Sequence, residues 1–531
     1  MNRPIQIEAW TEILVLLLAA AWSGAAAADG GLSTDGTVGP KQTLSGSQAD
    51  IPQSLGTTVG KNVFHSFSQF NVDKGQTVTF QENAPNTLDN VISRVTGGNR
   101  SDINGTLRST PGGHANLYLI NPHGVVFGKD AKLDVPGDFH ASTANELKFK
   151  DGNKYSATDP NASTLTAAAP SAFWFLGTSA ANNSLIKVDG AKLEVRAGKR
   201  IDFVGNEIKV ENHARMQAQG QEQSTTYASE MSAAGIEVRL VARRGVGEVS
   251  VEPAASGTYL SLPPDHPTNS NAGRLTINDS TVDVSGNGGG RIGLWGRRVV
   301  ISGPEAALKA NNEGAASAGI GFGVETLANS VLVHGGKISA IAIYQGDAGQ
   351  VKLTIMRNVT LRGGAEISGL SAGTSSAKGA VVAIKAGKKF SLAGSNIDIT
   401  AAGTGSGGRL IIQTGGDLIL RDAASIDAIS ISEGKAGTVV LHTNGNLYVS
   451  NGAAVTNGTV GRHDTGSISV RTGGKVILAG SGTTIGVEAI QGGSGNVGRV
   501  VIKAGSDIVV SDGAAMYPFT RLRGGEVFQL P

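Results

Sequence analysis

Acidic residues are the first candidates for chemistry in this chain, because glycan cleavage on a β-rich scaffold needs two carboxyl groups facing one bond. Asp422, Asp427 and Glu433 fall within one short stretch of the C-terminal half. The corresponding positions of the next sequence repeat hold Asn451, Thr456 and Val460. None of these three can perform acid-base catalysis, so the sequence predicts no acid-base pair on neighbouring repeats.

Histidines also fail to form a recognisable site. The pairs Asp265-His266 and His463-Asp464 have no serine or cysteine nucleophile in a strand-turn-helix elbow nearby. The nine histidines show no H-x-x-x-H spacing of the kind that holds zinc. Residues 492–496 come closest to the calcium repeat G-G-x-G-x-D but lack its acid. We therefore predict no catalytic residue, no metal site and no cofactor.

The elements that carry these residues form a repeat. Glycines that open a Gly-x-x-apolar pattern recur at spacings of 30, 29, 29, 29 and 32 residues. They are Gly349, Gly379, Gly408, Gly437, Gly466 and Gly498. A fixed period of this length indicates a solenoid in which each unit contacts only its neighbours.

One unit of the repeat contains three short β-rich segments separated by Gly, Asp and Ala corners, for example 409–413, 417–420 and 425–429. Three strands and three corners are what one coil of a triangular β-helix requires. Coils of about 29 residues, stacked at about 4.8 Å, would give roughly 17 coils and a rod of about 80 Å.

Composition narrows the class of protein further. Lys and Arg number 45 against 43 Asp and Glu, a net charge of +2, which predicts no binding to nucleic acid. The first 28 residues contain Arg3, an apolar run from Ile13 to Trp22 and a stretch of alanines, which is typical of a cleaved secretory signal. No later segment is apolar and long enough for a transmembrane anchor, and there is no cysteine.

A turn motif stands out in the N-terminal part, within Asn116 to Gly128. It consists of Asn121, Pro122, His123 and Gly124 between apolar strands. The Asn side chain can cap the turn, Pro presets φ at the second position and Gly closes it without a Cβ clash.

This stretch resembles the N-terminal secretion domain of filamentous haemagglutinin-like exoproteins of two-partner secretion systems. The family signature is Asn-Pro-Asn-Gly followed by Phe-Gly, and His123 replaces its third residue. Further blocks in the family's order lie at 51–57, 62–72, 90–98, 133–135 and 139–144, so the resemblance covers roughly residues 30 to 180. It implies a right-handed, single-stranded parallel β-helix, an all-β fold, exported through an outer-membrane barrel transporter.

Two sets of residues are therefore candidates for export. The first is the turn at 121–124, which has either a structural role or a direct role in secretion. The second is the aromatic block, in which core packing competes with recognition by the export barrel. It comprises Asn62, Phe64, His65, Phe67 and Phe70. The spacing of three between the phenylalanines departs from strand alternation and predicts a turn or bulge.

We divide the chain into a signal peptide (1–28), a secretion domain (29–180), a β-helical rod (181–515) and a C-terminal tail or cap (516–531). Loops rich in Ser, Thr, Pro, Ala and Gln interrupt the rod near 220–234 and 253–272.

These features favour a non-enzymatic exoprotein, an adhesin or surface-interaction protein. It would reach the exterior or surface of a Gram-negative-type bacterium via the periplasm, and its partners would be the transporter and a host or cell-surface glycan or protein. The alternative is a carbohydrate-active β-helix enzyme, a polysaccharide lyase or hydrolase.

Overall fold

The computed structural model describes residues 31–177, 184–219, 235–252, 262–268, 270–319, 321–373, 377–460, 463–489 and 498–519. The predicted signal peptide, the insertion at 220–234, residues 253–261 and 269 of the second insertion, and residues 520–531 lie outside these ranges. In the described part, the only helices are the 3₁₀ turns Gln53–Leu55 and Pro160–Ala162, and none has the length and hydropathy to cross a membrane.

The chain winds into a right-handed parallel β-helix of about 15 coils, each coil giving one strand to each of three sheets. The predicted fold class and the coil length of about 29 residues are confirmed. There are fewer coils than the 17 predicted, because residues 146–175 and 247–250 leave the stack to form a separate antiparallel sheet.

Sheet 1 carries the strands that open each coil, and its neighbours pair in parallel along the stack. Its strands are Asn62–Phe70, Asn90–Val95, Asn116–Ile120, Phe139–Ser142, Arg200–Gly205, Glu237–Ala242, Arg291–Ser302, Gly323–His334, Gln350–Ile355, Val381–Ala386, Arg409–Thr414, Thr438–Thr443, Ser467–Thr472 and Val500–Lys503. The two twelve-residue strands continue around the first corner into sheet 2.

Sheet 2 consists of those two continuations and of Ser101–Ile103, Val125–Phe127, Leu185–Asp189, Glu207–Glu211, Arg274–Asn278, Val359–Arg362, Phe390–Ala393, Leu418–Arg421, Leu447–Ser450, Val476–Ala479 and Ile508–Ser511. Sheet 3 has two parts that are stacked without strand pairing between them. The first part consists of Gln48–Pro52, Thr77–Gln81, Thr106–Ser109 and Lys132–Asp134. The second part consists of Lys192–Val195, Arg215–Ala218, Thr281–Asp283, Ala307–Lys309, Lys337–Ser339, Glu366–Ser368, Asn396–Asp398, Ser425–Ser430, Ala454–Thr459, Thr484–Ala489 and Ala515–Phe519. Three antiparallel strands lie at the N-terminal end, Leu32–Thr34, Thr43–Leu44 and Thr57–Val59.

The core runs down the middle of the stack, because alternate residues of every strand point inward. One cluster of buried apolar side chains extends from Leu32 to Val487. Aromatic rings fill the early coils, where Phe127 and Phe203 stack at 5.4 Å, whereas Val, Ile and Leu fill the later ones. Each fully buried side chain of this kind contributes about 1.5–3 kcal/mol to the stability of the stack.

The register corrects one assignment in the predicted repeat. Gln350 pairs with Val381, and Val381 pairs with Arg409, so the residue stacked between Gly349 and Gly408 is Ala380 rather than Gly379. The other glycines of the series do stack in register. Alanine is tolerated because the position needs a small side chain at a corner rather than a left-handed backbone.

The stack also extends past residue 516, where the sequence suggested a tail. Ala515–Phe519 pairs in parallel with Thr484–Ala489, so the chain is still part of sheet 3 at residue 519.

The antiparallel excursion forms a cover over the outer face of sheet 1. Its four strands are Glu146–Phe149, Lys154–Ser156, Pro170–Phe175 and Gly247–Ser250. Apolar residues of this cover sheet pack with outward-facing residues of sheet 1 in a second buried cluster. Both faces of sheet 1 are therefore buried in the first coils.

Candidate export motif and its buried polar network

The predicted turn at 121–124 forms the corner between sheet 1 and sheet 2 in an early coil. Asn121 is fully buried, and its Oδ1 accepts a hydrogen bond from the His123 backbone N–H at 2.9 Å. The Gly124 N–H donates to the Asn121 carbonyl at 3.0 Å and closes the turn. The Asn121 Nδ2 donates to the Asn99 carbonyl at 3.1 Å and to Ser101 Oγ at 3.0 Å. One side chain thus closes its own turn and holds the corner of the preceding coil.

The last two residues of the turn have different constraints. Gly124 has a φ of +119°, and a Cβ there would lie 2.9 Å from the Leu185 carbonyl oxygen, so only glycine fits. The third residue supplies only its backbone N–H to the cap, which explains in physical terms why His123 can stand where the family signature has Asn. The His123 Nδ1 is buried without a hydrogen-bond partner among the described residues.

Asparagines form a ladder at the start of sheet 1. Asn62, Asn90 and Asn116 occupy the same register position in three successive coils. Asn116 Nδ2 donates to Asn90 Oδ1 at 3.2 Å, and Asn90 Nδ2 donates to Asn62 Oδ1 at 2.8 Å. At the end of the ladder, Asn62 Nδ2 donates hydrogen bonds to the carbonyls of Thr166 and Ala168, in the segment that joins two cover strands. Of the three, sequence reasoning selected only Asn62, although each stands before an apolar strand residue.

The aromatic block lies in the core. Phe67 and Phe70 are buried inside the stack, while Phe64 faces outward and packs against Phe149 and Tyr155 of the cover sheet at centroid distances of 5.8 and 5.1 Å. The register shifts opposite Ser68, because Ser33 pairs with Gln69 and Thr34 pairs with Phe67. The predicted bulge is confirmed, and it is what turns Phe70 inward.

A column of polar residues missed by sequence reasoning lies beneath the cover sheet. Tyr118, His140, Asp202 and Arg239 stack at one register position in four successive coils. The rings of Tyr118 and His140 are parallel at 4.3 Å, and His140 Nδ1 lies 3.0 Å from Asp202 Oδ2. Arg239 donates to both carboxylate oxygens of Asp202, at 2.8 and 2.6 Å.

The carboxylate in this column is ionised although fully buried. Burial raises the pKa of Asp202, but the charge of Arg239 and the hydrogen bonds from His140 and Arg239 outweigh it and hold that pKa well below its usual range. A His-Asp pair can orient a catalytic base, yet these side chains are at most 2% exposed. They cannot reach a substrate, so their role in this arrangement is structural.

A second ladder lies two residues away on the same face. Arg200 contacts Glu237 Oε2 through Nε and Nη2 at 3.1 and 3.0 Å, and Arg291 Nη1 contacts Glu237 Oε1 at 3.1 Å. Arg200 Nη1 also donates to the carbonyl of Val251, just after the last cover strand. The ladder therefore connects three coils to the cover.

One column of sheet 3 brings two carboxylates together on neighbouring coils, contrary to the prediction from sequence. Asp427 stacks in register with Asp398 of the preceding coil, whereas the sequence comparison looked only at the following coil, where Thr456 stands. Burial and then the charge of Asp398 raise the pKa of Asp427. The remaining neighbour of Asp398 in the column is Ser368, so neither histidine nor arginine continues the pair. Within the described ranges, no group of three or more His, Asp or Glu side chains could hold a metal.

The protein-family model of the TPS secretion domain matches residues 25–294. That is half of the chain. The chain belongs to the TPS secretion domain family. TPS stands for two-partner secretion, and proteins with this domain are exoproteins secreted by Gram-negative bacteria. The family implies a TPS outer-membrane transporter as export partner.

Relatives of the TPS secretion domain share limited identity with the chain. A heme/hemopexin-binding protein of Haemophilus influenzae is 32% identical over 108 residues, which is 20% of this chain and 11% of that protein. The crystal structure of the HMW1 secretion domain from Haemophilus influenzae aligns over 91% of this chain and 98% of its own, with 18% identity and a TM-score of 0.43. A filamentous hemagglutinin secretion domain aligns over 66% of this chain and 97% of its own, with 14% identity and a TM-score of 0.32.

His65 makes the stability of the TPS domain depend on pH. Desolvation by burial lowers the pKa of His65 to about 4, against a smaller opposing effect of its hydrogen bond to the Leu55 backbone. The folded protein holds this ring neutral while the unfolded chain takes up a proton below about pH 6.5. Stability is therefore lost as the pH falls from 6.5 towards 4.

We expect the parent to lose about 2 kcal/mol at pH 5 relative to pH 7.5 through this group. Urea unfolding of the parent and of His65→Gln at both pH values measures it, since the glutamine keeps a donor and cannot titrate. An equal pH dependence in the two proteins would rule out this origin.

Proposed function

We propose that this protein is a non-enzymatic exoprotein exported through an outer-membrane barrel partner, and that it acts outside the cell as an adhesin or surface-interaction protein. The supporting observation is the continuity of the stack. Sheets 1 and 3 run without a break in pairing from the family match, which ends at residue 294, to residues 503 and 519. The export domain thus passes directly into a rod whose outward side chains are available for contact.

The turn at 121–124 and the aromatic block have separate parts in this proposal. The buried Asn121 holds two early coils together, and we propose that export depends on this corner through folding of the emerging chain. We assign Phe64, Phe67 and Phe70 to core packing, because all three are at most 1% exposed in the folded domain. We also propose the division into a secretion domain to 180, a rod and a cap formed by the last residues, as a division of the sequence only, since the cover strand Gly247–Ser250 crosses the boundary at 180 to pair with Pro170–Phe175.

A surface-binding assay tests the proposed role. The purified mature chain would be labelled and its binding to host cells and to a glycan array measured, with incubation of the same samples with polysaccharides to detect cleavage. Saturable binding without depolymerisation is the expected result. Absence of binding to every surface would contradict the role as an adhesin.

The stacked pair Asp398–Asp427 is a structural argument for the enzyme alternative. We expect Asp398→Asn and Asp427→Asn to leave surface binding unchanged within about twofold, because neither side chain has a histidine or arginine beside it in its column. Asp422→Asn and Asp464→Asn, at corners outside this column, serve as matched controls. Polysaccharide turnover that disappears in the Asp398 or Asp427 variant and persists in the controls would establish a lyase or hydrolase instead.

A further inference from the structure

Charges on the C-terminal coils are segregated by face. The six sheet 1 strands from Gln350–Ile355 to Val500–Lys503 contain no Asp or Glu, and five of their residues are Lys or Arg. The five sheet 3 strands from Glu366–Ser368 to Thr484–Ala489 show the opposite, with four acids and no Lys or Arg. We call the outward side of these six sheet 1 strands the basic face.

The strand register aligns basic residues from separate repeats in one column on the basic face. Lys385, Gln413, His442, Arg471 and Lys503 occupy one outward position in five successive coils. Coils are stacked at about 4.8 Å, so this column is about 19 Å long and parallel to the axis of the helix. Arg409 lies four residues before Gln413, which adds a cation about 13 Å to one side.

One cation of the basic face, Lys352, is partly buried and pairs with Glu325 at 2.9 Å, but the other four form no ion pair among the described residues. These four exposed residues are Lys385, Arg409, Arg471 and Lys503. Lys388 and Lys389 extend the charge around the adjoining corner. The net charge of +2 hides this arrangement, because salt screens fields beyond about 8–10 Å and the acidic strands belong to a different face.

We propose that the basic face binds a linear sulfated or otherwise polyanionic polysaccharide lying along the axis of the rod. A single extended chain can follow a straight column of cations over several coils. The phosphates of duplex DNA wind around their own axis, so a straight column meets them only where a strand crosses it. This inference names the ligand class for the proposed surface role and rests on that role for its biological meaning.

Binding of heparin and dextran sulfate to the mature chain, titrated at 50, 100 and 200 mM NaCl, tests the proposal. Uncharged dextran and duplex DNA are the comparison probes. The variant K385Q/R471Q/K503Q removes three charges from the column. The matched control, R298Q/R362Q/K435Q, removes three exposed charges from other positions.

We expect the column variant to bind heparin about 30- to 100-fold more weakly at the lowest salt, and its affinity to depend less steeply on salt. The control should change by less than about threefold. Equal losses in both variants would assign the effect to net charge, and failure of the parent to bind either sulfated probe would overturn the proposal. Duplex DNA bound as tightly as heparin, with the same loss in the column variant, would identify the wrong class of polyanion.

These experiments distinguish failure of the proposed ligand from failure of the proposed function. If heparin binding is lost in the column variant but the protein does not bind cell surfaces, the ligand proposed for the basic face is supported and the adhesin role is contradicted. If the protein cleaves the polysaccharide, the non-enzymatic assignment fails. Circular dichroism of both variants would show whether the β-helix is retained.

Discussion

Replacing Arg239 by methionine is expected to destabilise the N-terminal coils by about 3–5 kcal/mol, because it leaves the ionised Asp202 buried without its partner. Solenoids need not unfold in one step, so a global midpoint alone is insufficient. Hydrogen exchange measured on peptides from 139–142, 200–205 and 247–250 would report the loss where it occurs. Peptides from the coils after Gly408 should exchange as in the parent.

Two further variants make this result specific. Lys61→Met breaks an exposed ion pair with Asp89 and should cost less than about 1 kcal/mol. The double variant D202N/R239M removes the buried charge as well, and should recover part of the stability lost in R239M. If R239M proves as mild as Lys61→Met, the column beneath the cover sheet is not the stabilising element described here.

Secretion of the protein should fall about tenfold in Asn121→Ala. The substitution removes the acceptor that closes the turn and leaves the carbonyl of Asn99 and the hydroxyl of Ser101 without their donor, at a cost of about 1–3 kcal/mol in one early coil. Pro122→Ala loosens only the preset φ and should cost about 0.5–1 kcal/mol. The protein released into the medium would be quantified with and without a co-expressed outer-membrane barrel partner.

A matched control exists in a late coil. Asn446 lies at the same corner, between Thr438–Thr443 and Leu447–Ser450, and its Oδ1 accepts a hydrogen bond from the Lys475 N–H at 2.8 Å. Asn446→Ala should be exported nearly as well as the parent, because the coils that precede it have already folded. Release that does not require the partner, or equal export of the Asn121 and Asn446 variants, would contradict a special role for the early turn.

The regular part of the fold could be predicted from sequence because each coil repeats the same small set of side chains. Alternating Val, Ile and Leu with glycine corners predicted the late coils. Among the glycines assigned to one stacked position, only Gly379 was wrong, and it lies one residue before Ala380, which occupies that position. The spacing of Phe67 and Phe70 likewise predicted the bulge, since two core residues three apart cannot both point inward in a regular strand.

The polar columns could not be predicted in the same way. Tyr118, His140, Asp202 and Arg239 become neighbours only through register, and the cover strands inserted between their coils destroy any fixed spacing. Asp398 and Asp427 are in consecutive repeats and could have been found by comparing Asp427 with the coil before it as well as the coil after it. The column of the basic face was not recognised in the sequence because Gln413 and His442 separate Lys385 from Arg471 and Lys503 in successive repeats.

The cover sheet determines where this export domain can be truncated when it is fused to another protein for secretion. Its last strand, Gly247–Ser250, joins the edge of Pro170–Phe175 from two coils further along, and Val251 receives a hydrogen bond from Arg200. A fragment cut at residue 180 would keep His140 and Tyr118 but lose Asp202, Arg239 and the strand that seals the sheet edge. Such a fragment would expose apolar surface and an unpaired strand edge, and it would therefore be prone to aggregate with other chains. The fusion junction should therefore lie no earlier than Val251, so that the fragment includes Gly247–Ser250, the last strand of the cover sheet.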